Sequence, residues 1–291
     1  MKNNRYSISI RYALMLLVFL LGLPSFGFGV PQVPQSFWQD GIMFQVVDAK
    51  DKTLEVFACD KTLAQDVVIP SSVNYEGIHY KVITIGTGVF YKCDKLTSIE
   101  LPNSVTTIGI GTFEGCSGLK SLTIPKNVYS IGKSAFKGCS GLKSLTIPKN
   151  VYSIGESAFE GCSGLNSLTI PFKHLNTVGF LKTLTSLTLC GDEITSDCSQ
   201  FINNNPSLTS VTIKDATSIG KSAFRDCRGL TSIAILDGVT SIGESAFEGC
   251  SGLTSIEIPN SVTSIDWSAF SNCIYNHRTT KTNQKYPSVN L

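Results

Sequence analysis

The chain has 291 residues, a formal charge of +2 and only 16% charged residues. That balance gives no electrostatic footprint for nucleic acid, and an apolar share of 42% is ordinary for a folded domain. Three scattered histidines, His79, His174 and His277, have no Cys, Ser or carboxylate partner at motif spacing, which argues against catalysis and against zinc.

In chain order, Lys2, Arg5 and Arg11 precede an apolar run over 13–23, then Pro24 and the small-residue spacing Gly27-Phe28-Gly29. This order predicts a secretory signal peptide over 1–29, cleaved before Val30. The run is too short to span a bilayer, so the mature chain is expected to carry no membrane span. An uncleaved N-terminal anchor is the alternative. Residues 42–47 and 53–57 are strand-like runs separated by Asp-Ala-Lys-Asp-Lys, a hairpin signal. A capping hairpin over 30–65 is therefore expected, hiding one end of a core. Residues 66–70 and 82–86 follow as two extended segments, and the insert between them over 74–79 reads as a loop.

From 66 to 273 the chain repeats itself. Residues 119–141 read LKSLTIPKNVYSIGKSAFKGCSG, and 142–164 repeat them with Lys133 becoming Glu156 and Lys137 becoming Glu160. Phe90, Phe113, Phe136 and Phe159 stand 23 apart, as do Phe201, Phe224, Phe247 and Phe270, and cysteines march in step with them. A fixed period in the twenties predicts a solenoid, because a lone unit cannot bury its apolar face. Within 119–141 the inward set is Leu119, Leu122, Ile124, Val128, Ile131, Ala135, Phe136 and Cys139. Ser-Leu-Thr-Ile alternates with period two, which predicts a short strand that Pro125 ends. A second extended segment spans 128–131. The row Gly86, Gly109, Gly132, Gly155, Gly220 and Gly243 suggests a positive φ, which Asp266 in the last repeat would tolerate. Ser157-Ala-Phe-Glu160 and Ser245-Ala-Phe-Glu248 have capping-box spacing, so one helical turn is expected there.

These residues resemble the BspA-type leucine-rich repeats, a 23-residue class found in bacterial surface proteins. The pattern L-x-S-[LI]-x-[IL]-P-x-x-V-x-x-I-G-x-x-[AT]-F-x-x-C-x-x carries the likeness over 96–164 and 208–273. The resemblance implies a repeat solenoid, a leucine-rich repeat right-handed superhelix with short parallel strands, single helical turns and an N-terminal β-hairpin cap. It departs from the general leucine-rich consensus, since Pro follows the strand and Cys lies beyond the turn.

Between 171 and 206 the beat falters, with Phe180 and Phe201 21 apart. Decayed repeats that still stack are the expectation, and a ligand-contacting loop at 190–205 is the alternative. The tail 274–291 is polar and basic, without repeat marks. Cysteines in register project in parallel and do not face one another as a disulfide requires, so the seven in step read as small buried hydrophobes. Cys190 and Cys198, out of step, are left open as a pair. Asp192, Glu193 and Asp197 read as a solvated loop rather than a metal site, and Gly109-Ile-Gly111 as a turn rather than a phosphate loop.

What remains is surface. Outward strand positions form two rows: Ser98, Ser121, Ser144, Ser167, Ser186, Ser210, Ser232 and Ser255, then Glu100, Thr123, Thr146, Thr169, Thr188, Thr212, Ala234 and Glu257. Ser121, Thr123, Ser144, Thr146, Ser167 and Thr169, with Tyr129 and Tyr152 on another face, are the candidate binding surface. Trp267 is expected to cover the core near the open end. Register stacking also sets Lys133 beside Glu156, Lys137 beside Glu160, Lys221 beside Glu244 and Arg225 beside Glu248. The resemblance implies a secreted or cell-surface protein that binds a protein ligand, on host extracellular matrix or another cell surface, without enzymatic activity or cofactor. The alternative is a scaffold component of the bacterial envelope with no soluble ligand.

Overall fold

The computed structural model describes residues 36–60, 65–179, 181–195, 197–254 and 256–273. The expected signal peptide and the polar tail lie outside the described residues, as do Phe180 and Ser255.

Alternating burial builds the first strands. In β1 (Ser36–Gln39), β2 (Ile42–Asp48) and β3 (Thr53–Cys59), the side chains of Ile42, Phe44, Val46, Leu54 and Val56 are buried between more exposed neighbours. The three strands form an antiparallel meander. Three more follow: β4 (Asp66–Val68), β5 (Ser72–Tyr75) and β6 (Ile78–Ile85). β3 pairs in parallel with β6, Leu54 opposite Val82 and Val56 opposite Ile85. The capping strands are thus continuous with a sheet of the solenoid.

The insert expected as a loop is instead a second hairpin. β5 runs antiparallel to β6 through Glu76-Gly77, whose φ values of 51° and 79° match the two-residue turn that follows strand twist. Gly77 N–H donates to Asn74 Oδ1 at 3.1 Å. Glutamate in a left-handed position is uncommon, which hid the turn.

The later rungs open with a short strand of the Ser-Leu-Thr-Ile kind, with Ile or Val at the second position in some and Leu at the fourth in others. Ser98 sits opposite Ser121, and Ser144, Ser167, Ser186, Ser210 and Ser232 follow one another in parallel register. The face is two sheets, of three and six strands, with the break between Ser121–Leu122 and Ser144–Thr146. The two segments are identical at these positions, so the break has no local sequence cause. A second face carries Thr107–Ile108, Ser130–Ile131 and Ser153–Ile154, stacked in parallel on β6. It resumes with Glu193–Ile194, Ser218–Ile219, Ser241–Ile242 and Ser264–Ile265.

The interruption coincides with the faltering beat. Ser167 pairs with Ser186 across a rung shortened to 19 residues, in which the 3₁₀ segment Phe172–Thr177 replaces the second strand. In the next rung an α-helix, Asp197–Asn204, replaces the Ala-Phe turn and buries Cys198, Phe201 and Ile202. Asn205, buried at its end, accepts from Leu181 N–H through Oδ1 at 2.7 Å and donates through Nδ2 to Phe201 O at 2.7 Å. The expected decayed repeats therefore stack, and within 190–205 the strand Glu193–Ile194 and the helix Asp197–Asn204 join the array.

In the regular rungs the third side is a run of tight turns. Lys137 N–H donates to Ser134 O at 3.1 Å and Cys139 N–H to Phe136 O at 3.1 Å, while Phe136 N–H reaches the next rung at Ala158 O, 2.8 Å away. These bonds serve both the local turn and the stack, so the chain satisfies its buried backbone without extended helices. All eight inward groups of 119–141 are buried. Phenylalanine rings form a column, Phe90 on Phe113 on Phe136 on Phe159, with centroids 5.3, 5.5 and 5.7 Å apart and planes within 9°. A second column runs Phe224, Phe247, Phe270. Phe201, on the helix, stacks with neither.

The glycine row has a different cause from the one expected. None of Gly86, Gly109, Gly132, Gly155, Gly220 and Gly243 has positive φ. A Cβ on Gly132 would lie 2.5–2.6 Å from backbone atoms of Gly109 and Ile110, and one on Gly109 2.6–2.9 Å from those of Gly86 and Thr87. Gly109, Gly132, Gly155 and Gly243 each rest on the glycine one rung below, while Gly86 and Gly220, with no such glycine below them, rest on Val56 and Ile194, and the row marks close approach of backbones. The left-handed residue comes two positions later, at Ser134, Ser157, Ser222 and Ser245, with φ from 55° to 58°. Those serines are not helix caps: Ser134 N–H donates to Glu156 O at 3.0 Å, in the next rung. Asp266 is likewise outside the left-handed region.

Candidate functional site

The strand face places its hydroxyls as expected, but unevenly. Ser121, Thr123, Ser144 and Thr146 are exposed, whereas Ser167 and Thr169, beside the shortened rung, are half-buried. Tyr129 and Tyr152 lie on adjacent rungs, bridged by Tyr152 N–H donating to Tyr129 O at 2.7 Å. Their side chains are 53% and 80% exposed. Lys173 Nζ stands 5.9 Å from the centre of the Tyr152 ring, a cation over an aromatic face. Trp267 is 79% exposed. It does not cover the core, because its neighbours Asp266 and Ser268 are also exposed.

The four charge pairs form as register demands. Lys133 meets Glu156 at 2.7 Å, Lys137 meets Glu160 at 3.0 Å, Lys221 meets Glu244 at 2.9 Å and Arg225 meets Glu248 at 3.2 Å. The Lys133 side chain beside Glu156 holds that carboxyl below its ordinary value, and Lys137 does the same to Glu160. Glu156 in turn raises Lys133. A lowered carboxyl stabilises above its ordinary value of 4.5, and that contribution is lost as pH falls through the folded value. A raised lysine stabilises below 10.5, and that contribution is lost as pH rises through the folded value. Exposed pairs are weak, so their role is register: a slip of one rung would set like charges together. Lys133→Glu with Lys137→Glu is expected to lower the urea midpoint modestly, and adding Glu156→Lys with Glu160→Lys to restore it. Losses that simply add in the fourfold variant would count against the pairing.

The in-step cysteines do more than fill space. Cys116, Cys139 and Cys162 donate S–H to the carbonyls of Phe90, Phe113 and Phe136 at 2.9, 3.1 and 3.1 Å, one rung back. Cys250 and Cys273 repeat the contact to Phe224 and Phe247. All ten cysteines are thiols, and Cys190 and Cys198, both buried, are not bridged. Burial pushes the Cys116 and Cys162 thiols up to about 12, so they carry almost no thiolate at neutral pH. In the native protein at about pH 8, iodoacetamide should leave Cys116, Cys139 and Cys162 unlabelled and modify them once urea unfolds the chain, as read by peptide mass spectrometry. Labelling in the native state would mean that the rungs open.

Of the histidines, His174 is buried against Val151 O at 2.8 Å, and burial lowers its pKa. His79 is exposed in the β5–β6 hairpin. Among the described residues no group of three or more His, Cys, Asp or Glu is placed to hold a metal, and no helix is long and apolar enough to cross a membrane. Clefts occur beside the cap, at Gln39, Asp66 and Pro70, and in the irregular rungs, at Asn176, Gln200 and Asn204. Neither gathers nucleophile, base and acid.

Parallel rungs of about 23 residues, closed by turns and lined with leucine, isoleucine and a phenylalanine column, define a leucine-rich repeat solenoid. The model of the BspA type leucine rich repeat region matches residues 58–188 and 193–286 in 6 copies. The chain belongs to that family. Among solved structures it is similar to a leucine-rich repeat protein from Bacteroides capillosus, at 29% identity over 46% of this chain and 96% of that one, TM-score 0.42. It is also similar to a leucine rich cell surface protein from Faecalibacterium prausnitzii, at 23% identity over 84% and 88%, TM-score 0.39. The pneumococcal vaccine antigen PcpA is similar at 18% identity over 82% and 74%, TM-score 0.41. No curated protein matches the sequence.

Proposed function

We propose that the protein is exported and presents its solenoid surface, without catalysis, for binding a protein on host matrix or on another cell. The observation that carries this is the exposure of Tyr129 and Tyr152 on adjacent rungs, at 53% and 80%. Exposed tyrosines are favoured anchors of protein interfaces, and the serines and threonines of the first strand face offer further hydrogen-bonding groups. Family membership supports the same reading, since leucine-rich solenoids use extended surfaces for protein contact. The test is capture by two immobilised substrates, matrix laid down by cultured epithelial cells and a bacterial envelope fraction. Saturable retention on matrix is expected. Retention on the envelope fraction alone would overturn adhesion in favour of a scaffold role.

A further inference from the structure

We infer that two copies of this chain associate antiparallel along one corner of the solenoid, held by charges that the corner itself carries in self-complementary order. The corner is the bend just after the first strand of each rung. Rung by rung it presents Lys126, Lys149, Lys173, then Asp192, Asp215 and Asp237. All six side chains are exposed. Among the described residues none of the six forms an ion pair, in contrast to the Lys133 and Lys221 ladders on the neighbouring face.

Their order in space follows from register. Asn150 Nδ2 donates to Lys126 O at 3.1 Å, which places those bends on adjacent rungs. The strands preceding Lys149, Lys173, Asp192, Asp215 and Asp237 pair consecutively, with Pro171 opposite Cys190 opposite Lys214 and Ile213 opposite Ile235. Rungs about 4.8 Å apart spread the six groups over about 24 Å, cations in one half and anions in the other. A two-fold axis across the stack, between the Lys173 and Asp192 rungs, brings Lys126 to Asp237 and Lys149 to Asp215 of the second copy, each pair occurring twice, while Lys173, over the Tyr152 ring, and Asp192, whose carbonyl accepts from Thr217 N–H, lie further round the bend beside the axis. A patch that is antisymmetric in charge is complementary to itself under such an axis, as an isologous interface requires. Lys214 interrupts the acidic half, but it lies one position back on the strand and directly beside Asp215. Leu236, 43% exposed beside Asp237, supplies apolar surface at that end of the corner.

Because exposed charges dominate, association should be weak and salt-sensitive. Sedimentation velocity on the protein at about 0.05 M salt should show a concentration-dependent dimer that dissociates at about 0.5 M. K126E/K149E/K173E and D192K/D215K/D237K should each sediment as monomers, since each replaces one half of the pattern with the sign of the other. An equimolar mixture should restore a dimer containing one copy of each. Persistence of the dimer at high salt, dimerisation of either triple variant alone, a monomeric mixture, or a wild-type monomer at every concentration would each overturn the proposal.

Discussion

Phe136→Ala is expected to destabilise the protein by about 3–5 kcal/mol, measured by urea unfolding. Its ring is fully buried and stacked on both sides, 5.5 Å from Phe113 and 5.7 Å from Phe159. Truncation removes two ring contacts and leaves a cavity whose walls are held by the backbone bonds of three rungs, so collapse is limited. Phe201→Ala, on the helix of an irregular rung and with no stacked ring among the described residues, should cost less. Equal losses at the two sites would show that the column contributes nothing beyond burial of area.

Gly132→Asn is expected to be at least as damaging as ordinary overpacking, about 3 kcal/mol or more. The substitution separates two explanations of the same glycine. Asparagine tolerates a left-handed backbone, so a glycine needed only for its φ would accept the change at small cost. At Gly132 the obstacle is the backbone of Gly109 and Ile110, 2.5–2.6 Å from any Cβ, and backbone cannot yield as a side chain can. The matching control is Ser134→Gly, at a φ of 55°, which should be tolerated because glycine adopts that conformation freely. A well-folded Gly132→Asn protein would contradict close packing of the rungs.

How much of this was legible in the sequence divides along physical lines. Period and burial were, because equal spacing becomes contact once units stack: the phenylalanine column and the Lys-Glu ladders follow from counting to 23. Backbone conformation was less so. A glycine row has two causes, positive φ and close approach, and only the neighbouring rung distinguishes them. The same limit applied to cysteine, whose burial was expected but whose S–H bond to the carbonyl one rung back depends on the path of the turn. The hairpin at 74–79 was hidden by a glutamate doing the work of asparagine or aspartate. In the irregular rungs the lost Ala-Phe mark reported that the turn was gone, not that a helix replaced it. The order of charges along the Lys126–Asp237 corner was masked by a whole-chain balance of +2; counting charge by rung would have revealed it. The candidate residues were placed on the surface by alternation alone, but the half-burial of Ser167 and Thr169 needed the shortened rung beside them.

Binding of Tyr129→Ala/Tyr152→Ala to epithelial-cell matrix, side by side with the parent protein, probes the functional account most directly. Both rings project into solvent, so urea unfolding should be unchanged while affinity falls by about tenfold or more, the loss expected of interface anchors. A double variant that binds as the parent does, at unchanged stability, would place the contact elsewhere on the solenoid and contradict the account.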